Sequence, residues 1–281
     1  MSFNIIHGDS LDWLKQSKDN SVDAVITDPP YGLHHLDREF DTLQNTPKSG
    51  GARKGSKGGG MKWDANQNQK LSKFLLPFFK ESFRILKPGS FCVVFSQGRL
   101  LLGVLSALEE AGFEIREQFF WKKPTALPNQ QSPNRKNSKF PVLTDRVILG
   151  PGKHVEPFVV AQKPRVGTYA NNWNKWETGL VNPKEATSTV WEYPSASKKE
   201  KQGLTHVTIK PLALMKRIVR VFSKPKDIIV DPFSGSGTTG VACLFEDREY
   251  VGIELSHDFY LESLNRLNNT QQKIEDSDGD S

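Results

Sequence analysis

The sequence has few cysteines and no long apolar run. Two of its 281 residues are cysteine, Cys92 and Cys243, and each lies within an apolar stretch. Buried, reduced thiols are therefore expected rather than a disulfide or a metal site. No run of about 18 apolar residues argues for a membrane-spanning helix, and Met1 leads almost directly into a predicted strand without a signal peptide. These absences favour a cytoplasmic protein.

Acidic residues are missing from two stretches of the chain. Lys48–Lys62 contains mainly glycine and lysine, and Gln118–Thr144 is rich in Asn, Gln and Pro. The basic residues of the second stretch are Lys122, Lys123, Arg135, Lys136 and Lys139. The net charge of +6 and pI near 9.1 favour a polyanionic partner. The first stretch is either a solvated linker or a loop that closes over a nucleic-acid backbone.

Strand and helix patterns alternate along most of the chain. Strands are predicted at Phe3–His7, Val22–Ile26, Ser90–Ser96, Phe113–Trp121, Glu156–Ala161, Asp227–Val230 and Tyr250–Ile253. Helices are predicted from Leu11 and over Leu71–Leu86, Leu100–Ala111, Pro211–Phe222, Val241–Phe245 and Phe259 to about Leu267. This alternation predicts an α/β fold with a mostly parallel sheet. Lys163–Gly203 lacks a period and is predicted to be irregular, and Glu275–Ser281 to be a frayed acidic tail.

A short buried strand, Val22–Ile26, leads into Asp28, Pro29, Pro30 and Tyr31. Two prolines in succession end the strand in a stiff corner. The aspartate and the proline carbonyls form a cluster of hydrogen-bond acceptors beside an aromatic ring. Such a cluster suits a planar base, because the ring stacks on the base and the acceptors bind its exocyclic amino group. The simpler interpretation is a turn that only ends a strand.

A second motif, DPFSGSGTTG at Asp231–Gly240, lies between a predicted strand and a predicted helix. Its glycines match the G-x-G-x-x-G pattern, and Glu254 ends the next strand, where an acid can bind ribose hydroxyls. Taken alone, this is a dinucleotide-binding pattern. Only 27 residues follow Glu254, too few for the remaining strands of such a domain. The missing strands must come from upstream, so that the two motifs share one sheet.

The DPPY and FSGSGT motifs, in this order and separated by a long basic region, resemble those of the S-adenosylmethionine-dependent DNA amino-methyltransferases of the beta class. The resemblance covers most of the chain and implies a Rossmann-like methyltransferase fold with circularly permuted motif order. The implied segments are a catalytic half at 1–124, an irregular basic target-recognition region at 125–205, a cofactor-binding half at 206–270 and an acidic tail at 271–281.

The resemblance also implies roles for individual residues. Those expected at the methionine part of the cofactor are Asp231, Phe233, Gly235, Ser236, Gly237 and Thr238. Glu254 is implied to hold the ribose hydroxyls, Asp9 the adenine amino group and Lys210 the methionine carboxylate. The segment from His206 is similar to the HPTxKP-type segment of the family, although Val207 replaces its proline.

In the same family-based interpretation, the target base is flipped out of the DNA and stacks on Tyr31. Phe120 or Trp121 would cover its other face, while Asp28 and the Pro29 carbonyl grip its amino group. The reaction then needs neither a metal nor a covalent enzyme intermediate. A homodimer and a partner restriction endonuclease, in a bacterial or phage modification system, are further expectations from the family.

Several functions remain open from the sequence. Asp28 favours adenine N6 as the methylated atom, because family members that act on cytosine N4 commonly carry serine there. Cytosine N4 is the nearest alternative, followed by RNA or a protein amide. A nicotinamide-dependent oxidoreductase would explain the glycines and Glu254 but not the DPPY corner. A nucleic-acid-binding protein without activity would explain only the charge.

Overall fold

The structure is a computed structural model. It describes residues 2–30, 66–125, 154–201, 204 and 209–279. The predicted features that lie outside the described residues are Tyr31, the basic stretch Lys48–Lys62, Arg135, Lys136, Lys139 and His206.

One twisted sheet contains the eight strands of the described residues. They are β1 (Phe3–His7), β2 (Val22–Thr27), β3 (Leu86–Phe95), β4 (Glu114–Lys122), β5 (Val155–Gln162), β6 (Val190–Glu192), β7 (Ile228–Asp231) and β8 (Glu249–Glu254). Their order in the sheet is β1-β8-β7-β2-β3-β5-β4-β6. β5 pairs antiparallel with β3 and β4, and every other pairing is parallel. The predicted mostly parallel α/β fold is confirmed.

Helices cover both faces of this sheet. They are α1 (Ser10–Gln16), α2 (Gln67–Ile85), α3 (Leu101–Glu110), α4 (Tyr169–Trp176), α5 (Lys198–Lys201), α6 (Leu212–Phe222), α7 (Thr238–Phe245) and α8 (His257–Gly279). A 3-10 turn at Gly98–Leu100 precedes α3. No helix within these described ranges combines the length and the apolar character needed to cross a membrane.

Every residue of the central strand β2 is buried, which explains why its sequence lacks the alternation of a half-exposed strand. Ala24 and Ile26 belong to the core on the side of α6 and α7, whereas Val25 packs with Leu75 of α2 on the other side. Burial of an aliphatic side chain contributes roughly 1.5–3 kcal/mol. The two cores therefore hold β2, and with it the corner that follows, rigidly in the middle of the sheet.

The prediction that Lys163–Gly203 is irregular is wrong in part, because this stretch contains α4, β6 and α5. The regular structure of this stretch depends on hydrogen bonds rather than on a periodic apolar face. The Thr168 hydroxyl caps α4 by accepting from Asn171 N. The buried Asn172 amide donates to the carbonyls of Pro88 and Thr178 at 3.0 and 3.1 Å. Such a network leaves no repeating signal in the sequence.

Two predicted boundaries are also wrong. Strand β3 begins at Leu86, four residues before the predicted start, because Leu86 already pairs with Val22 of β2. Helix α8 does not end near Leu267 and runs to Gly279. Ile274, two turns beyond Leu267, packs against the same core and extends the apolar face of the helix. Residues 271–279 are thus helical rather than a frayed tail.

Candidate active site

The two sequence motifs meet in the middle of the sheet. β2 and β7 are neighbours, and the chain continues from β2 to β3 on one side and from β7 to β8 on the other. Ligands of open α/β sheets bind beyond the carboxyl ends of strands at such a reversal of strand order. A cleft lies there, with a volume of about 430 Å³ that includes the space open to solvent. Its walls include Asp28, Phe95, Lys210, Met215 and residues 233–236.

Asp231, at the end of β7, lines the cleft and connects the DPPY corner to the glycine motif. Its Oδ1 accepts hydrogen bonds from the Thr27 hydroxyl at 2.7 Å and from Phe233 N at 3.1 Å. Its Oδ2 accepts from the Thr239 hydroxyl at 2.7 Å. Burial raises the pKa of Asp231 to about 6, against the opposing effect of these hydrogen bonds. Both oxygens are engaged within the protein, so Asp231 supports the glycine loop from beneath.

The loop itself depends on backbone conformations that favour glycine. Gly235 and Gly237 have φ angles of 52° and 72°. A Cβ atom on Gly237 would lie 2.9 Å from the Cβ of Ser263 on α8. Gly237 is also the N-cap of α7, where no side chain caps the helix. The backbone N–H groups at the start of α7 and its dipole favour a negatively charged ligand group at this end.

Arg266 of α8 holds the same loop from the other side, and no pattern in the sequence distinguishes it. Its Nη1 donates to the Ser236 carbonyl at 3.0 Å and to the Thr238 hydroxyl at 2.8 Å. Burial lowers the pKa of this guanidinium, and the charge of Glu200 opposes that effect. Arg266 thus joins the long C-terminal helix to the loop that lines the cleft.

The two acids predicted at the other end of the cofactor lie at the same edge of the sheet. Glu254 ends β8 and accepts from Gly235 N and Ser256 N, each at 2.8 Å. Burial raises the pKa of Glu254, while these backbone donors act in the opposite direction. Asp9 follows β1, the neighbour of β8, and its Oδ1 caps α1 by accepting from Leu11 N at 2.7 Å. Glu254 therefore hydrogen-bonds to the glycine loop directly, whereas Asp9 caps α1 after the neighbouring strand.

A chain of alternating charges borders the cleft beside the DPPY corner. The Lys210 ammonium hydrogen-bonds to Asp28 Oδ2 and lies 2.8 Å from Glu156 Oε1. Glu156 Oε2 in turn accepts from Lys123 Nζ at 2.8 Å. Lys210 is buried, and its ammonium lies 4.7 Å from the centre of the Phe95 ring. The structure thus places the predicted catalytic aspartate and the predicted carboxylate-binding lysine in direct contact.

Burial and charge act in opposite directions on this chain. Burial alone would lower the pKa of Lys210, but the charges of Asp28 and Glu156 and their hydrogen bonds outweigh it, and the pKa is raised. Burial would likewise raise the pKa of Glu156, yet Lys210 and Lys123 lower it overall. Lys210 and Glu156 are accordingly both charged at neutral pH.

A family model described as DNA methylase matches residues 22–265, which include both motifs and the cleft. The chain belongs to this DNA methylase family. The type II methyltransferase M.HindIII of Haemophilus influenzae is 30% identical over 300 residues, covering 94% of each chain. M2.MboI of Moraxella bovis is 28% identical, covering 92% of this chain and 85% of its own. The Escherichia coli DNA adenine methyltransferase YhdJ is 27% identical, covering 94% and 82%.

Solved structures share the fold of this DNA methylase. M1.HpyAVI in complex with S-adenosylmethionine superposes with a TM-score of 0.61 at 24% identity, covering 95% of this chain and 99% of its own. The cytosine-N4-specific PvuII methyltransferase gives 0.63 at 19% identity, covering 98% and 93%. The family model confirms the predicted family, and these structures confirm the predicted methyltransferase fold.

S-adenosylmethionine is the cofactor of this family, and the cleft of the DNA methylase suits it. Gly235 and Gly237 allow a ligand to approach the loop backbone closely. The start of α7 favours a carboxylate, and Glu254 offers acceptors one strand away. Apolar contacts are available from Phe95, Met215 and Phe233 in the walls. Polar donors, an acid and apolar surface thus occur together, as a nucleoside-containing ligand requires.

Trp121 does not take the role proposed for it in the sequence. Its side chain is 3% exposed, belongs to the core, and donates through Nε1 to the Tyr193 carbonyl at 2.8 Å. It therefore cannot cover a face of a flipped base. Phe120, the other candidate, is half-buried, and its role stays a prediction.

Proposed function

We propose that this DNA methylase transfers a methyl group from S-adenosylmethionine to the N6 amino group of adenine. The observation that carries the proposal is the position of Asp28, which lines the same cleft as Gly235 and Ser236 of the glycine loop. An acceptor for an amino group and a cradle for the cofactor thus adjoin one another. DNA is the substrate class of the family.

The mechanism relies on alignment. S-adenosylmethionine, when bound, supplies an electrophilic methyl group on its sulfonium. The Asp28 carboxylate and the Pro29 carbonyl accept hydrogen bonds from the amino group and direct its lone pair into the cleft. Asp28 also receives the proton that the amino group releases. Pro29 is buried after the rigid strand β2, so these acceptors are held before the substrate arrives.

The remaining site assignments are part of the proposal. Tyr31 and Pro30 complete the base pocket, and the base enters it by flipping out of the duplex. The glycine loop, Glu254 and Asp9 bind the cofactor, and Lys210 contacts its methionine carboxylate. Residues 125–205 contribute to target recognition, although β5 and β6 of this range belong to the central sheet. A homodimer and a partner endonuclease belong to the same proposal.

Adenine is favoured over cytosine by the residue at position 28. Aspartate before Pro-Pro-Tyr resembles the adenine-specific members of the family, and the relative YhdJ is named an adenine methyltransferase. Cytosine N4 is the second candidate, since the PvuII methyltransferase named for that specificity shares the fold.

The test is transfer of labelled methyl from S-adenosylmethionine to DNA, followed by mass analysis of the nucleosides. We expect N6-methyladenine from the wild type. Asp28→Ala should lose at least about a thousandfold in rate while still binding the cofactor, since the amino group loses its charged acceptor. Asp19→Ala, an exposed aspartate paired with Arg84 on the surface, is the matched control and should retain full activity. If the label appeared only in N4-methylcytosine, adenine N6 would be wrong as the target atom and cytosine N4 would take its place.

A further inference from the structure

Glu156 reaches the active-site edge because of the direction of its strand. β5 is antiparallel to β3, with Phe158 opposite Phe95, so the beginning of β5 lies where the parallel strands end. Glu156 is the second residue of β5 and pairs with Trp121 of β4. Its side chain is 18% exposed. A charged group is therefore fixed at the rim of the cleft by a sheet strand, not by a loop.

Both carboxylate oxygens of Glu156 have cationic partners. Oε1 lies 2.8 Å from the Lys210 ammonium, and Oε2 lies 2.8 Å from that of Lys123. Lys210 is shared between Glu156 and Asp28, and all three belong to one chain of contacts. Lys123 also lies 4.2 Å from the centre of the Trp121 ring, which further limits its movement. Lys123 thus holds one carboxylate oxygen of Glu156, and the other oxygen holds the Lys210 ammonium.

This sharing affects how strongly Asp28 can bind an amino group. A carboxylate that alone neutralises a buried ammonium is a weaker acceptor for a second donor, because its charge is already balanced. When a second carboxylate, here that of Glu156, shares the same ammonium, the first carboxylate keeps more of its negative charge for another donor. We propose that Glu156 is a positioning residue for methyl transfer, which anchors the Lys210 ammonium and thereby preserves Asp28 as a strong acceptor for the amino group of the base. This inference rests on the proposed function of Asp28.

The matched control is another pair on the same sheet edge. Lys122 and Glu192 form a contact of 2.7 Å between β4 and β6, and their side chains are 51% and 53% exposed. Glu192→Gln removes the same charge as Glu156→Gln, but from a solvated pair away from Lys210. A general effect of net charge on DNA binding would appear in both variants.

The experiment measures steady-state methylation of DNA by wild type, Glu156→Gln and Glu192→Gln, with thermal unfolding of each. We expect Glu156→Gln to reduce kcat at least tenfold while the KM for DNA stays within threefold. Glu192→Gln should keep kcat within twofold. Equal kcat values in Glu156→Gln and wild type, or equal losses in the two variants, would overturn the inference while leaving wild-type adenine methylation intact. A wild type without methyl transfer would instead refute the proposed function.

A double-mutant cycle separates positioning from a merely structural role. If Glu156 acts through Lys210, Glu156→Gln should add less than a twofold loss in kcat to a Lys210→Met enzyme. Independent, multiplicative losses would contradict the inference. Should Glu156→Gln fail to fold, Glu156→Asp keeps the charge on a shorter side chain and should show a smaller fall in kcat at unchanged KM. Wild-type kcat in folded Glu156→Asp would likewise exclude positioning.

Discussion

The Thr27 hydroxyl donates a 2.7 Å hydrogen bond to Asp231 Oδ1, although the two residues are 204 positions apart in the sequence. Thr27 ends β2 immediately before Asp28, and Asp231 ends β7 immediately before the glycine loop. The bond is buried, so water does not compete with it. It fixes the spacing between the corner proposed to bind the base and the loop proposed to bind the cofactor, which methyl transfer requires to remain constant.

The first prediction concerns stability and pH at Asp231. Its folded-state pKa is raised from 3.8 to about 6, so the folded protein binds its proton more tightly than the unfolded chain does. The associated stability is full below pH 4 and is lost as pH rises through 6, by about 3 kcal/mol. Asp231→Asn cannot ionise, and its free energy of unfolding should vary less over this window. Urea unfolding between pH 4 and 7.5 measures the difference. Equal slopes in variant and wild type would contradict the assigned burial cost.

The second prediction concerns Gly237 in the cofactor loop. Gly237→Ala places a side chain at φ 72° and 2.9 Å from Ser263 Cβ. We expect a loss of about 1–3 kcal/mol in unfolding free energy and weaker binding of S-adenosylmethionine, because the loop must shift. Gly98→Ala is the control, since no atom of the residues that the structure describes lies within 4 Å of its added Cβ. Thermal unfolding and calorimetric titration with the cofactor measure both effects. Identical behaviour of the two variants would show that the loop tolerates the shift.

Much of the fold was predictable because the sheet is built from buried parallel strands. Runs such as Val22–Ile26 are mostly apolar, with Asp23 as the one charged residue, and the glycine motif follows β7 directly, so strand and site could be placed together. The shortage of residues after Glu254 indicated that the remaining strands come from upstream and that the two motifs share one sheet. The errors concerned local features, because α4 is held by the hydrogen bonds of Asn172 and the last turns of α8 include Ile274, which packs against the core.

The cleft was predicted less completely than the fold. The residues of the two motifs could be named because each lies at the end of a strand. Glu156 and Arg266 were missed, since their importance arises only from elements distant in sequence. Nothing local indicates that β5 runs antiparallel, and only this direction places Glu156 beside Lys210. The prediction for Trp121 was wrong because the sequence around an aromatic residue with basic neighbours does not show whether its side chain faces the core or a ligand.

The third prediction concerns Asn172, whose buried amide joins α4 to the sheet. Its Nδ2 donates to the Pro88 and Thr178 carbonyls, and its Oδ1 accepts from Val166 N at 3.0 Å. Asn172→Leu removes all three hydrogen bonds, although the Pro88 carbonyl keeps the Thr178 hydroxyl as a donor, and the unfolding free energy should fall by about 3 kcal/mol. Asn171→Leu, the exposed neighbour, is the control and should cost under about 1 kcal/mol. Chemical unfolding compares the two, and similar losses would show that the amide network contributes little.

The last prediction separates cofactor binding from DNA binding through Arg266. Arg266→Met keeps much of the side-chain volume but removes the donors to the Ser236 carbonyl and the Thr238 hydroxyl. The loop then loses these two hydrogen bonds to α8, and we expect S-adenosylmethionine to bind about tenfold more weakly, a change near 1.4 kcal/mol. The KM for DNA should be unchanged, because Arg266 hydrogen-bonds to Ser236 and Thr238 and is not among the residues that line the cleft.

Arg220→Met supplies the control for the lost charge. Arg220 is a partly buried arginine of α6 that pairs with Glu185 and Glu246, away from the loop. The Arg220→Met substitution should destabilise the protein modestly without altering its affinity for S-adenosylmethionine. Titration calorimetry with the cofactor, at a temperature where both variants are folded, makes the comparison. A weaker affinity in both variants would assign the effect to net charge, whereas a loss confined to Arg266→Met would identify α8 as the support of the cofactor loop.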